Sequence, residues 1–123
     1  MLSSANQITH FNDLEQVVRL GTHSDSPKLL YRYLELGKDY ASACEYEFRS
    51  DVYDRLFNTL LDAIADPLVE THWRQLCLDN IYRPLGELEK LADTDPAFEK
   101  LRQRYTELCL LANYNLEGIH NGE

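Results

Sequence analysis

The chain is short of glycine, short of base and without any long apolar run, and each shortage removes a class of function. Five glycines in 123 residues leave little material for a phosphate-cradling loop or a dinucleotide fingerprint, and neither spacing occurs; a Gly-x-Ser-x-Gly elbow is also missing. Twelve Lys and Arg stand against 21 Asp and Glu, a net charge of −9. That sign is repelled by phosphate backbones and anionic lipid, so no direct nucleic-acid partner and no membrane partner is expected. No stretch approaches the roughly 20 apolar residues of a membrane span. The first residues, Met1 to Gln7, also lack the basic start and apolar run of an export signal. The three cysteines, Cys44, Cys77 and Cys109, are odd in number and form no Cys-x-x-Cys pair. They suggest neither a disulfide framework nor a zinc ribbon, and a reducing, cytoplasmic setting fits them best.

What remains is ordinary for a protein that folds. The apolar share is 44% with 27% charged residues, unlike acidic disordered tails, which lack aliphatic and aromatic side chains. The length suits one domain, residues 1–123, with frayed tails expected at 1–10 and 118–123. Three prolines follow a capping residue, in Ser26-Pro27, Asp66-Pro67 and Asp95-Pro96. Proline at the first helical position sacrifices no useful N–H, and the residue before it is pushed out of helical geometry where it can cap. Each pair is therefore expected to start a helix.

Helical periodicity follows each of these signals. A short first helix is expected over Asn12 to Leu20, with Phe11, Leu14, Val17 and Val18 on one side and Gly21 as its stop. After Pro27, the residues Leu30, Leu34, Gly37, Ala41, Cys44 and Phe48 recur at steps of four and three, a narrow packing seam with small residues in its middle. Beyond it the apolar positions fall at Val52, Leu56, Leu60 and Ile64, so the stripe changes phase near Arg49 to Asp51. One helix from Pro27 to Ala65 would span about 58 Å at 1.5 Å per residue, too long for so small a domain, and a break with Ser50 as cap is expected there. Val69, Trp73, Leu76, Cys77 and Ile81 mark a helix from Pro67 to Tyr82, and Pro84 kinks or restarts it toward Leu85, Leu88 and Leu91. A last helix carries Phe98, Leu101, Tyr105, Leu108 and Ala112 and ends near Gly118. No sustained alternation competes. The fold class is all-α, a compact bundle of four to six helices.

Chemistry is harder to find. Metal sites in bundles use Glu-x-x-His pairs on facing helices; the single such spacing, Glu117 to His120, lies at the expected C-terminal fray with no second copy to face it. Glu70 and His72 are two apart and point to different sides of a helix, while His10, His23 and His120 fall near termini or loops. The three cysteines each lie on or beside an apolar stripe and read as small core residues rather than nucleophiles. Asp51 and Asp54 share a helix face, but the run from Glu35 to Asp54 reads as a solvated acidic face. The segment Leu36-Gly37-Lys38-Asp39-Tyr40 resembles the opening of a tetratricopeptide repeat, yet Arg49 stands where a small residue is required and no second copy follows.

Tyrosine is the more suggestive feature, with eight copies. Tyr33 and Tyr40 are seven apart, as are Tyr46 and Tyr53, so each pair can line one flank of a helix beside acidic residues. Aromatic side chains are enriched at binding hot spots. Tyr33, Tyr40, Tyr46, Glu47 and Tyr53 are therefore the expected partner-binding face. The protein is expected to be non-enzymatic, with no cofactor: a regulator, chaperone or immunity-type inhibitor that masks another protein, basic in character. Helices meeting over Gly37 and Ala41 could do so within one chain or in a homodimer. Two other classes compete. A small helical enzyme with a dispersed site would show a deep pocket lined by His72, Cys77 and carboxylates, and a nucleic-acid mimic would array carboxylates at phosphate-like spacing.

Overall fold

Glycine and proline punctuate the chain into helices, though not always at the residue their chemistry first suggests. The computed structural model describes residues 3–121, with side chains for 10–113. In chain order the helices are α1 (Ser3–Leu20), α2 (Pro27–Ala43), α3 (Tyr46–Ala65), α4 (Thr71–Asn80), α5 (Tyr82–Leu91) and α6 (Asp95–Asn121). They form an all-α bundle, with no strand among the described residues. The tails expected to fray, 1–10 and 118–123, lie almost wholly outside the described side chains; the backbone of α1 begins well before Asn12.

Gly21 stops α1 with a left-handed φ of 63°, its N–H donating to the Val17 carbonyl at 2.9 Å. A side chain is excluded there twice over, because a Cβ would stand 2.8 Å from Val69 Cγ1 and 3.0 Å from Trp73 Cδ1. Pro27 starts α2 as expected, although the Ser26 side chain makes no capping hydrogen bond. The other two proline signals are displaced. Asp66 does not open a helix: its Oδ1 accepts the Leu68 N–H at 2.9 Å while Oδ2 takes the Arg19 guanidinium at 3.0 Å. This Asx turn carries Pro67 and Leu68 outside regular structure, leaves Leu68 exposed, and delays α4 to Thr71. At the third signal Thr94, not Asp95, is the cap, its Oγ1 accepting the Ala97 N–H at 3.2 Å.

The break between α2 and α3 also falls earlier than the phase change implied. Cys44 turns extended, with its N–H shared by the Tyr40 and Ala41 carbonyls, and Glu45 leads directly into Tyr46. Ser50 is thus inside α3 and caps nothing. Phe48, placed on the seam by spacing, belongs to α3 and is 51% exposed.

Helix α3 is the centre of the bundle and touches each of the other helices. Its buried positions Tyr53, Leu56, Phe57, Thr59, Leu60, Ala63 and Ile64 cover more of the helix than one stripe does, as a surrounded helix requires. The α2 seam packs here: a Cβ on Gly37 would meet Leu56 Cδ1 at 2.6 Å. The close approach that Gly37 and Ala41 permit is therefore made within the chain, and this seam is not available to a second copy. Trp73 closes the other end, fully buried, with Nε1–H donating to the Val18 carbonyl at 2.9 Å. Burial of each large apolar side chain stabilises by about 1.5–3 kcal/mol. Helix α6 gains least from this. Among its described residues Leu108 alone is buried, with Leu101, Leu111 and Ala112 half-buried against α3 and α5.

Candidate functional site

A groove lies between α3, α5 and the start of α6. Its walls are the first turns of α3, the end of α5 with the following turn, and the first turns of α6, and it encloses about 310 Å³. The corner at Cys44 sets one wall: Arg49 Nε donates back to the Cys44 carbonyl at 3.4 Å, and its guanidinium lies 6.0 Å from the Tyr46 ring centroid. The opposite wall follows from Ala92, whose extended backbone ends α5, and from the Thr94 cap that turns the chain into α6. Leu88, Leu91, Ala92, Ala97 and Leu101 make the apolar part of the lining.

The polar lining divides into two ends. At the inner end Asp54 receives Lys100 Nζ at 2.8 Å and Arg104 Nη2 at 3.0 Å, and Arg104 continues to Glu107 at 3.7 Å while lying over the Phe57 ring. Two acids and two bases cancel there. At the mouth, Glu47 has no partner among the described residues, and Asp93 accepts only a long 3.5 Å hydrogen bond from the Tyr46 hydroxyl. The mouth thus carries two uncompensated carboxylates beside a tyrosine that is 55% exposed.

The five residues expected to form one face are dispersed. Tyr46 and Glu47 share the groove. Tyr33 is fully buried in α2, and this corrects its assignment to the surface: the ring stacks on Phe11 at 5.0 Å, and its hydroxyl donates to Glu15 at 2.6 Å beside the Thr59 hydroxyl. Tyr53 is likewise buried, next to Leu34, Lys38, Arg83 and Glu87. Tyr40 is half-buried, edge-on to Phe11 at 5.3 Å. The seven-residue spacing put each pair on one helix flank, but on both α2 and α3 that flank turns inward along part of its length.

A polar cluster between α1 and α3 went unseen in the sequence. Arg55 clamps Glu15 at 2.8 Å and reaches Asn12, while Tyr33 and Thr59 close over the same carboxylate. Burial alone would raise the Glu15 pKa, but the hydrogen bonds from Arg55, Tyr33 and Thr59 outweigh it and hold the carboxyl below its usual range. Burial and the bond to Glu15 push the Tyr33 phenol upward. The ion pairs at the centre of each cluster, Arg55–Glu15 and Lys100–Asp54, join residues 40 and 46 positions apart, and no local spacing could have announced them.

The cysteines and the acid pair also separate. Cys77 is buried, with its thiol pushed up to about 12 by desolvation. Cys44 is half-buried, and Cys109 is exposed, correcting its place in the core: Leu108 takes the inward position and Cys109, one residue on, turns outward. His72 is exposed, its Nε2 lying 3.0 Å from the Ser24 carbonyl, so it shares no pocket with the buried Cys77. Asp51 faces solvent while Asp54 turns into the groove. Among the described residues no helix is long and apolar enough to cross a membrane.

The fold and the groove define the molecule as an all-α bundle with an amphipathic cleft between its central helix and its last two. Comparison with protein-family models, curated proteins and solved structures finds no match in any of the three.

Proposed function

We propose that this is a non-enzymatic binding protein that masks a partner protein by seating part of it in the groove between α3, α5 and α6, as a regulator, chaperone or immunity-type inhibitor. The observation that supports this reading is the groove's composition: an apolar lining of Leu88, Leu91 and Leu101 beneath an exposed Tyr46 and unpaired acid. A tyrosine with an apolar ring and a wet hydroxyl is a favoured anchor at protein interfaces. Three free cysteines, one of them exposed, fit a reducing compartment, and we place the protein in the cytoplasm.

The test is differential capture from the native host. Ala97→Trp fills the groove without adding charge, and Tyr31→Ala alters an exposed tyrosine that does not line it. A partner retained by wild type and Tyr31→Ala but lost by Ala97→Trp supports the reading, provided that both variants keep wild-type helicity. A partner retained equally by all three removes the groove from the account.

A further inference from the structure

We infer that the occupant of this groove is a cationic amphipathic segment, in which one bulky apolar side chain sits on Leu91 and Leu101 and flanking Lys or Arg side chains reach Glu47 and Asp93. The inference rests on the binding reading above and names the chemistry of the partner.

Charge accounting along the groove carries it. Lys100 and Arg104 are the basic residues of the lining, and Asp54 holds both, with Glu107 sharing Arg104. Their charge is met before any ligand arrives, so an anionic segment would find no net positive charge at that end. Glu47 and Asp93 make no ion pair among the described residues. A cation placed at either carboxylate replaces water without breaking an ion pair between described residues, and the Tyr46 hydroxyl already reaches Asp93 at 3.5 Å. Glu45 and Asp95, both exposed, stand next to Tyr46 and Thr94 in the chain and add to the acid of these two turns. The size of the groove complements this charge. A space of about 310 Å³ with an apolar lining lies at the lower edge of small-ligand sites, which run from roughly 300 Å³. It is large enough for one or two bulky side chains of a segment laid into it, the mode of helix-in-groove recognition. The overall charge of −9 adds long-range attraction for a basic partner.

The test titrates the ¹⁵N-labelled full chain with three synthetic peptides of equal length and the same central leucine and phenylalanine, flanked by Lys and Arg, by Glu, or by Ser. The cationic peptide is expected to move the amides of Tyr46, Glu47, Asp93 and Ala97, and to bind more weakly as salt is raised. Glu47→Gln combined with Asp93→Asn, two surface changes whose folding is checked by helicity, should weaken it about tenfold, the loss of two exposed ion pairs. If the acidic or neutral peptide moves the same amides at equal affinity, the cationic assignment is overturned while the groove stands as a binding site. If none of the peptides moves them, the inference is overturned, and capture with Ala97→Trp separately decides whether the groove binds a folded partner surface instead.

Discussion

Two glycines in helix interiors should respond oppositely to the same methyl group. At Gly37 an added Cβ would lie 2.6, 2.7 and 3.0 Å from the Cδ1, Cδ2 and Cγ atoms of Leu56, whereas at Gly86 nothing stands within 4 Å. Gly→Ala inside a helix gains up to about 1 kcal/mol of propensity at either position. At Gly37 the gain is opposed by overpacking, which costs about 1–3 kcal/mol. Leu56 is almost wholly buried on the central helix, and although it borders a pocket with Leu34 and Tyr53, turning one methyl into that space would leave Cγ and the other methyl still crowded. Gly37→Ala should therefore destabilise by about 1 kcal/mol and Gly86→Ala stabilise by nearly as much. Because propensity cancels in the comparison, the difference reads the α2–α3 contact alone. At about 4 °C per kcal/mol for a chain of this size, thermal melts followed by circular dichroism should separate the two variants by about 8 °C, with wild type between them. Equal rises in Tm would mean that α2 and α3 do not meet over Gly37, and the seam would again be free to pair two chains.

Other perturbations probe the remaining packing and electrostatics. Native thiol labelling should modify Cys109 rapidly, Cys44 more slowly, and Cys77 only after denaturant is added, since Cys77 is buried and its pKa raised; prompt reaction of Cys77 would contradict its place in the core. The Glu15 carboxyl is held below its usual value of 4.5, so its contribution to stability is present above that value and lost as pH falls through the lower folded value. Urea midpoints for Glu15→Gln should accordingly be lower than wild type at neutral pH and fall less steeply toward about pH 3; parallel curves would refute the clamp. Tyr40→Ala should cost about 1–2 kcal/mol of stability through its contact with Phe11 and leave partner binding unchanged, whereas a loss of affinity at wild-type stability would return Tyr40 to the interface.

Helix type and number were legible in the sequence because they depend on local chemistry. The four-three seam on α2, the stop at Gly21 and the helix start at Pro27 each follow from residues within a turn of one another. Boundaries shifted where a side chain had a distant use. Arg19 draws Asp66 into a turn, which moves the start of α4 past Pro67, and Cys44 breaks the chain before the apolar phase changes. Faces were less legible than helices. Heptad spacing groups Tyr33 with Tyr40 and Tyr46 with Tyr53, but it cannot say which flank of a central helix is covered, and α3 is covered on several sides. The groove depends on Asp54 meeting Lys100 and Arg104, a pairing set by how α6 crosses α3, so sequence reasoning reached only its rim at Tyr46 and Glu47.

The most direct measurement of the central claim is an amide chemical-shift map of the full chain bound to the captured partner. Seating in the groove predicts that the perturbed amides cluster at Tyr46, Glu47, Leu91, Asp93, Ala97 and Leu101, and that Ala97→Trp abolishes them. Perturbations confined to the outer faces of α1 and α2, around Tyr31 and His10, with the groove amides unmoved, would contradict it.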